Sequence, residues 1–454
     1  MQILWAKQAL TDNGWKNSVR IAIGSDGRIA EITADAPQEG QQLDLALPAL
    51  GNLHSHSFQR AMAGLTESRG ENTQDSFWTW RKLMYRFLDL LTPDDIQAIA
   101  AFVQMEMLEA GYASVGEFHY LHHAKEGAHY DNIAELSHRI FAAQNTTGIG
   151  LTHLPVLYAQ GGCDGRALQG GQLRFKNDFD DFGRLIQAAE PAFSQLPADC
   201  RKGVAPHSLR AVSRDMMDNL PDIAGDGPIH MHIAEQTAEV TEIIAHLGAR
   251  PVEWLLNIFD VDKRWCLIHA TQMTPAETKG LAESGAVAGL CSITESNLGD
   301  GIFDGVRYLQ HGGNFGFGSD SNVRISLSEE IRTFEYSQRL RDHSRAALAT
   351  EDASAGRRIF EAASKGSAQA LDRGTGTLAV GNWADILEVR TDHVDMDGLK
   401  GDTLLDAWVF AQDDRLVSNV WSAGRHLVKD GQHIKNAEIT NAYRKVMRNL
   451  RVEI

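Results

Sequence analysis

Short apolar runs alternate with longer amphipathic segments between about residues 47 and 340. We interpret the runs as buried strands, because each is dense in apolar residues over the length of a strand. Between them, apolar residues recur at intervals of three and four, as in residues 93–111, and this spacing predicts helices. The strand candidates are residues 47–54, 112–119, 150–158, 203–208, 228–235, 264–270, 286–292 and 314–320.

Strands that are each followed by a helical segment predict an α/β fold. Eight such pairs are typical of a (β/α)8 barrel of the TIM type, and an open doubly wound sheet is the alternative. Polar residues stand at the C-terminal ends of the strand candidates. They favour the closed barrel, because in that fold the C-terminal strand ends meet on one active face.

The two ends of the chain have a different pattern, with short strand-like runs and Asp-Gly turn signals. We predict that residues 1–46 and 374–454 form one small β-sandwich domain and that the barrel, residues 47–373, is inserted between them. The last amphipathic stretch, residues 436–450, is expected to be a closing helix.

Composition is that of a soluble globular protein, with 43% hydrophobic and 23% charged residues. The formal net charge of −17 disfavours nucleic acid and anionic membranes as partners. No apolar run approaches the roughly 20 residues of a membrane span. The four cysteines include no Cys-x-x-Cys pair, and the N-terminus lacks a secretory pattern. We therefore expect a cytoplasmic protein.

Metal-ligand residue types stand at several strand ends. His54 and His56 end the first candidate strand, and residues two apart in a strand point to the same face. Such a pair suits two ligands of one metal ion, although a lone His-x-His is more often structural. Later strand ends carry His207, His232 and His269. Because these ends converge on one face of a barrel, the set indicates a metal site.

The order of these residues resembles the amidohydrolase superfamily: His-x-His on strand 1, histidines on strands 5 and 6, and an aspartate on strand 8. The resemblance covers nearly the whole chain, including the segment GTLAVGNWADI. It implies that one zinc ion is bound by His54, His56, His232 and Asp320. Imidazole nitrogen and carboxylate oxygen suit Zn²⁺, and a catalytic site keeps one position for water.

The residues at two further strand ends indicate which histidine is the ligand and how many metal ions are bound. His230 shares a face with His232, but His232 begins the His-x-x-Glu segment found in deaminases of the superfamily. We therefore take His232 as the ligand and His230 as a packed interior residue. Strand 4 ends in APHS, without the lysine of two-metal members, and this favours a single metal.

The resemblance also implies a reaction. Zinc lowers the pKa of its water to about 7, and the resulting hydroxide attacks an electrophilic C=N carbon. His269 and Asp320 hold and deprotonate the water, and Glu235 delivers the proton to the departing nitrogen, so that ammonia leaves.

Four further segments closely resemble the formimidoylglutamate deiminases of histidine degradation, one family of this superfamily. They are HSFQRAMAG (56–64), DSFWTWRKLMYR (75–86), EFHYLHH (117–123) and PHSLRAVS (206–213), and GSDSNV (318–323) also follows the family. The match implies that the substrate is contacted by Gln59, Arg81, Tyr120, His207, Arg210 and Ser321. N-formimino-L-glutamate has two carboxylates, which guanidinium groups bind in bidentate fashion, so Arg81 and Arg210 would supply the positive charge.

Other functions stay open. A purine or pyrimidine deaminase would need neutral hydrogen-bonding groups and aromatic stacking rather than two arginines. N-formiminoaspartate also fits, because one methylene contributes only about 1–3 kcal/mol of discrimination. Outside the enzymes, the chain could be an inactive barrel scaffold, although a scaffold does not need an intact ligand set. We expect a zinc cofactor, a small dicarboxylate substrate and a homodimer.

Overall fold

The structure is a computed structural model that describes residues 1–67 and 77–453, without the side chains of residues 77–82. Its strands are β1 (Gln2–Thr11), β2 (Gly14–Ile23), β3 (Ile29–Thr33), β4 (Gln41–Pro48), β5 (Leu50–Ser55), β6 (Tyr112–His119), β7 (Gly150–Leu157), β8 (Arg201–Lys202), β9 (Ala205–Pro206), β10 (Ile229–Ile233), β11 (Trp265–His269), β12 (Val287–Leu290), β13 (Asn314–Phe317), β14 (Ile386–Val389), β15 (Val417–Ser422), β16 (Arg425–Lys429) and β17 (Gln432–His433).

The helices alternate with the central strands and also cover the chain ends. They are α1 (Phe77–Leu88), α2 (Pro93–Glu109), α3 (Glu135–Thr147), α4 (Phe179–Phe193), α5 (Arg214–Ala224), α6 (Thr237–Leu247), α7 (Pro251–Ile258), α8 (Pro275–Ser284), α9 (Ser292–Leu298), α10 (Gly305–Gln310), α11 (Leu327–Asp342), α12 (Ala355–Ala370), α13 (Asp402–Asp406) and α14 (Asn436–Glu453). In the ranges that the structure describes, no helix is long and apolar enough to cross a membrane.

Two parallel sheets occupy the middle of the chain. One has the order β5-β6-β7-β8, with β9 also paired to β7, and the other has the order β10-β11-β12-β13. Isolated parallel bridges link the two sheets at both margins, between Val204 and Ile229 and between Ser55 and Asp320. Each predicted strand segment contains a strand, so the mixed α/β architecture with parallel sheets is confirmed.

The strand and helix boundaries follow local chemistry. Every residue of β6, β7, β10 and β11 is buried, as expected for parallel strands covered on both faces. The helix predicted over residues 93–111 is confirmed as α2. At its start the Thr92 hydroxyl accepts from the Asp95 N–H, and the Asp95 carboxylate accepts from the Thr92 N–H. Gly111 follows the helix with a φ of 100°.

Both ends of the chain contribute to one eight-stranded sheet, in the order β17-β16-β15-β14-β4-β1-β2-β3. The ends meet where β4 pairs with β1 on one side and with β14 on the other. The predicted first barrel segment, residues 47–54, is divided at Ala49: β4 runs to Pro48 in this terminal sheet, and β5 begins at Leu50. The last amphipathic stretch lies in helix α14, and the Tyr443 ring of this helix stacks on Phe102 of α2 at 3.9 Å.

A buried ion cluster ties the terminal sheet to the parallel sheets. The guanidinium of Arg373 is 2.7 Å from Asp385, just before β14, and 2.9 Å from Asp199, just before β8. Arg425 of β16 binds the same Asp199 at 2.6 Å. Burial alone raises the pKa of Asp199, but the hydrogen bond from Arg425 and the charge of Arg373 outweigh burial and lower it. The cluster is therefore charged, and each buried charge in it is stabilised by its oppositely charged partners.

We expect Arg373→Met to lower the free energy of unfolding by about 3–5 kcal/mol, because it leaves two buried carboxylates without a full set of partners. The measurement is urea unfolding followed by circular dichroism. Arg184→Met is the control, because Arg184 is exposed and its pair with Asp181 is worth at most about 1 kcal/mol. Equal losses for the two variants would contradict the interpretation.

Candidate active site

Four buried side chains meet at the C-terminal ends of the parallel strands. His54 and His56 come from the end of β5, His232 from β10, and Asp320 from the segment after β13. The three Nε2 atoms are 3.1–3.3 Å apart, and Asp320 Oδ1 is 3.3 Å from His54 Nε2 and 3.2 Å from His56 Nε2. The four residues form a group able to hold a metal ion.

The spacing of these atoms allows them to bind one common ion. Bonds of about 2.0 Å to a central zinc ion place the ligand atoms about 3.3 Å apart. His56 Nδ1 donates to the Phe118 carbonyl and His232 Nδ1 donates to the His207 carbonyl, each at 3.1 Å. These bonds leave the Nε2 lone pairs directed at the common centre, which is the orientation that a metal ion requires.

Protonation also suits a metal site. Burial, followed by the charge of His56, lowers the pKa of His54 to about 3. Burial lowers the pKa of His232 well below its ordinary value. For Asp320, burial raises the pKa, but the close interactions with His54 and His56 outweigh this and lower it. Neutral imidazoles and a carboxylate are the forms that bind a divalent cation.

Backbone pairing brings Asp320 to the histidines. The Asp320 N–H donates to the His54 carbonyl, and the Asp320 carbonyl accepts from the His56 N–H, both at 3.0 Å. The Asn322 side-chain amide donates to both the His56 and the Asp320 carbonyls at 3.1 Å. A side chain at Gly318 would place Cβ 2.6 Å from the His54 Cβ, so only glycine permits this approach.

Glu235 stands on a rigid turn directly after β10. Ala234 has a φ of 50°, in the left-handed region. The Glu239 carboxylate accepts from the N–H groups of Ala234 and Glu235 at 3.1 and 3.0 Å, and the Thr271 hydroxyl donates to the Glu235 carbonyl at 2.8 Å. The Glu235 side chain is buried, and burial raises the pKa of its carboxyl group. A carboxyl group with a raised pKa holds a proton more readily than an exposed one and is suited to proton transfer.

His269, at the end of β11, lies between two buried carboxylates. Its Nε2 is 3.7 Å from Glu235 Oε1, and its Nδ1 is 3.3 Å from Glu295 Oε1. Burial lowers the pKa of His269, but the charge of Glu235, the hydrogen bond to Glu295 and the charge of Asp320 together raise it to about 10.

A cavity opens above the four-residue group. Its lining includes five of the six predicted substrate contacts, Gln59, Tyr120, His207, Arg210 and Ser321, together with the predicted catalytic residues Glu235, His269 and Asp320. The side chain of the sixth predicted contact, Arg81, lies outside the described residues.

The polar groups of the lining differ in how they are paired. Gln59 Nε2 donates to the Tyr120 hydroxyl at 2.7 Å, and the hydroxyls of Ser321 and Thr294 are 2.9 Å apart. Arg210 Nε is buried and has no hydrogen-bond partner in the described part of the chain. An unpartnered buried guanidinium N–H at a cavity marks a place for an anionic ligand.

Other polar residues at or near strand ends contact the protein's own backbone and side chains. His230 Nε2 contacts the Ala370 carbonyl at 2.7 Å, away from the four-residue group, as expected for a packed interior residue. Glu117 accepts from the N–H and hydroxyl of Ser57 at 3.0 and 2.7 Å. The His119 ring packs between those of His122 and His153.

Several residues around the site were not predicted from the sequence. Glu239, Glu295 and Asn322 support the candidate ligands and catalytic residues, and Tyr158 and Phe175 form aromatic walls of the cavity. One signal was available, since Glu295 follows β12 on the face that carries the other site residues. The remaining residues are in helices and loops, where chain position alone does not indicate proximity to a strand end.

Comparison with known proteins agrees with this geometry. The model of the amidohydrolase family matches residues 45–427, and that of "Formimidoylglutamate deiminase HutF, N-terminal domain" matches residues 1–42. Formimidoylglutamate deiminase from Pseudomonas aeruginosa PAO1 is 46% identical over 99% of this chain and 100% of its own length.

Solved structures show the same similarity. The crystal structure of an amidohydrolase from Brucella melitensis is 43% identical, with a TM-score of 0.95 over 99% of this chain and 100% of that one. An adenosine deaminase from Xanthomonas campestris, crystallised with zinc, shares the fold at 20% identity, with a TM-score of 0.81 over 99% of this chain and 98% of that one. The chain therefore belongs to the formimidoylglutamate deiminase family of amidohydrolases.

Proposed function

We propose that this protein hydrolyses N-formimino-L-glutamate to N-formyl-L-glutamate and ammonia, a reaction of histidine degradation. The observation that carries the proposal is a single cavity that combines the His54, His56, His232 and Asp320 group with Arg210, whose buried Nε has no hydrogen-bond partner among the described residues. A metal site alone fits any amidohydrolase, whereas a cation beside it selects an anionic substrate. The 46% identity to a formimidoylglutamate deiminase supports the same substrate.

His54, His56, His232 and Asp320 would hold one zinc ion, since their spacing and donor atoms fit it. The bound ion would supply hydroxide at neutral pH, because it lowers the pKa of water to about 7. Asp320 Oδ1 is close to both His54 and His56. Its other oxygen would therefore remain available to orient the attacking water.

The proton moves through residues of this chain. Glu235 carries a proton from the attacking water to the formimino nitrogen as the C–O bond forms at the formimino carbon. The remaining hydroxyl proton then passes to the same nitrogen as the formyl C=O forms and the C–N bond breaks, so that ammonia leaves. One water is consumed, and one formyl group and one ammonia are produced. His269, 3.7 Å from Glu235, completes the polar wall that orients the water.

The glutamate part of the substrate would occupy the outer cavity. Arg210 binds one carboxylate, and we assign the second to Arg81 on the strength of the family resemblance. Gln59, Tyr120, His207 and Ser321 supply neutral hydrogen bonds around the formimino group and the backbone of the substrate. A nucleobase has no carboxylate to pair with Arg210, which favours the amino-acid substrate over a purine or pyrimidine.

The proposed arrangement of the site requires the two parallel sheets to face one common cavity. We propose that the two parallel sheets close into one (β/α)8 barrel, an interpretation that the Val204–Ile229 and Ser55–Asp320 bridges support. The terminal sheet would bend into a small β-sandwich, since the turn at Gly27 approaches the Ala423 carbonyl although their strands are far apart in the sheet order. The domain limits, a homodimer and a cytoplasmic location stay predictions.

We expect the wild-type protein to release ammonia from N-formimino-L-glutamate, and Glu235→Gln to lower kcat by about 10²–10⁴-fold, because proton transfer contributes that much. The measurement is coupled ammonia detection together with metal content, which the variant keeps. A variant with metal and a near wild-type rate would show that Glu235 is not the proton carrier. A wild-type protein that releases no ammonia would refute the proposed substrate.

We expect Arg210→Met to lower kcat/KM by about 10²-fold, because it leaves a substrate carboxylate without its charged partner. Arg210→Lys should recover little, since an ammonium cannot form the bidentate pair. Steady-state kinetics with N-formimino-L-glutamate and with a neutral formamidine test this, and the exposed Arg214→Met serves as control. Equal losses on both substrates would mean that Arg210 has only a structural role.

We expect about one zinc ion per chain, lost in His232→Gln and kept in His230→Gln. The two histidines are on the same strand, but only His232 belongs to the four-residue group. Elemental analysis of the purified variants makes the comparison, and chelation of the wild type should abolish ammonia release. Two ions per active chain, or activity without metal, would overturn the single-zinc site.

A further inference from the structure

Glu295 is a second carboxylate neighbour of the His269 imidazole, on the side away from Glu235. It is in the first turn of α9, just after β12, and its Oε1 is 3.3 Å from His269 Nδ1. The other ring nitrogen is 3.7 Å from Glu235. Glu235 lines the cavity, whereas Glu295 does not. One ring nitrogen thus faces Glu235 at the cavity, and the opposite nitrogen is bound by the protein.

The Glu295 carboxylate is held firmly. Its Oε1 also accepts from the Cys291 N–H at 2.9 Å, and its side chain is buried. The neighbouring Thr294 hydroxyl contacts Ser321, next to Asp320, at 2.9 Å, so the start of α9 is fixed against the metal-ligand segment. In a buried environment of low polarity, such hydrogen bonds are stronger than in water and keep the carboxylate in one position.

We infer that Glu295 is the positioning residue for His269: it accepts the Nδ1–H and thereby directs Nε2 toward Glu235 and the reacting water. The inference rests on the proposed function, in which His269 faces the reaction. An imidazole ring with one nitrogen bound by a fixed acceptor is held in a single orientation. Among the described residues, Glu295 is the side chain that hydrogen-bonds to His269 Nδ1.

An alternative is a second metal site. Ligand atoms of His269, Cys291 and Glu295 are within 4.8 Å of one another. However, the Glu295 oxygen nearest His269 is also bonded to the Cys291 N–H, so it already has two partners. The positioning role accounts for both contacts, and the test below includes metal content to separate the two possibilities.

The test is Glu295→Gln, which preserves an acceptor oxygen for both N–H groups and removes the negative charge. We expect kcat for ammonia release to fall by about 10–100-fold, the range typical for loss of a supporting partner of a site histidine. We also expect unchanged KM for N-formimino-L-glutamate, unchanged zinc content and an unchanged thermal unfolding midpoint. A fall in kcat alone distinguishes positioning from a structural role.

Glu330→Gln is the matched control. Glu330 is equally buried, and it accepts from the Ile293 N–H at 3.2 Å at the same end of α9, but it does not contact His269. Burial raises its pKa well above the ordinary value, so glutamine mimics its protonated form, and we expect a wild-type kcat.

Three outcomes would overturn the inference. Equal kcat in Glu295→Gln and the wild type would show that His269 needs no carboxylate partner. Equal losses in Glu295→Gln and Glu330→Gln would indicate a general effect of buried charge. Loss of a second bound ion in Glu295→Gln would assign the residue to a metal site. If the wild type itself releases no ammonia, the proposed function fails and this inference with it, which is a different result from an active wild type with an unaffected variant.

Discussion

The site depends on one backbone interaction, the pairing of the end of β5 with the segment that follows β13. The two hydrogen bonds between Asp320 and the backbone of His54 and His56 bring the ligand segments together, and neighbouring strands are about 4.8 Å apart. At that separation the carboxylate reaches both imidazoles without a long side chain. Gly318 makes the approach possible, and Asn322 bonds to both segments. Without this pairing the histidines of the first parallel sheet and the aspartate of the second would not form one site.

Around this junction, several buried charged groups are paired within the protein, and Arg210 differs from them. Glu239 binds the backbone at Glu235, Glu295 binds His269, and Arg373 is paired with two aspartates far from the cavity. Buried charges without partners are costly, so their satisfaction within the protein indicates support rather than reaction. Arg210 Nε has no such partner among the described residues. The paired groups thus support the site, whereas the Nε–H of Arg210 remains able to bind a ligand.

Much of the fold followed from the sequence because parallel strands buried on both faces appear as short apolar runs. The candidate strands each contained a strand, and His232 rather than His230 is in the four-residue group. The boundary between the terminal sheet and the first parallel strand was not predicted, because it lies inside an apolar run of the sequence. Residues 47–54 form one uninterrupted apolar run, but the chain passes from the terminal sheet to the parallel sheet within it. The pattern of apolar residues indicates that a residue is buried, but it does not indicate in which sheet the residue lies.

The sequence by itself determined the residue types of the site and their order along the strands. Each of these residues stands at or just after the end of an apolar run, and that pattern is visible in the sequence. Only the tertiary structure decided how those residues are supported. Glu239, Glu295 and Asn322 come from two helices and a loop, and they contact the site because helices and strands pack at particular distances and angles. A carboxylate on an amphipathic helix has the same appearance in the sequence whether it faces solvent or a histidine. Its role is set by which backbone and side-chain groups surround it, and the fold alone supplies those neighbours.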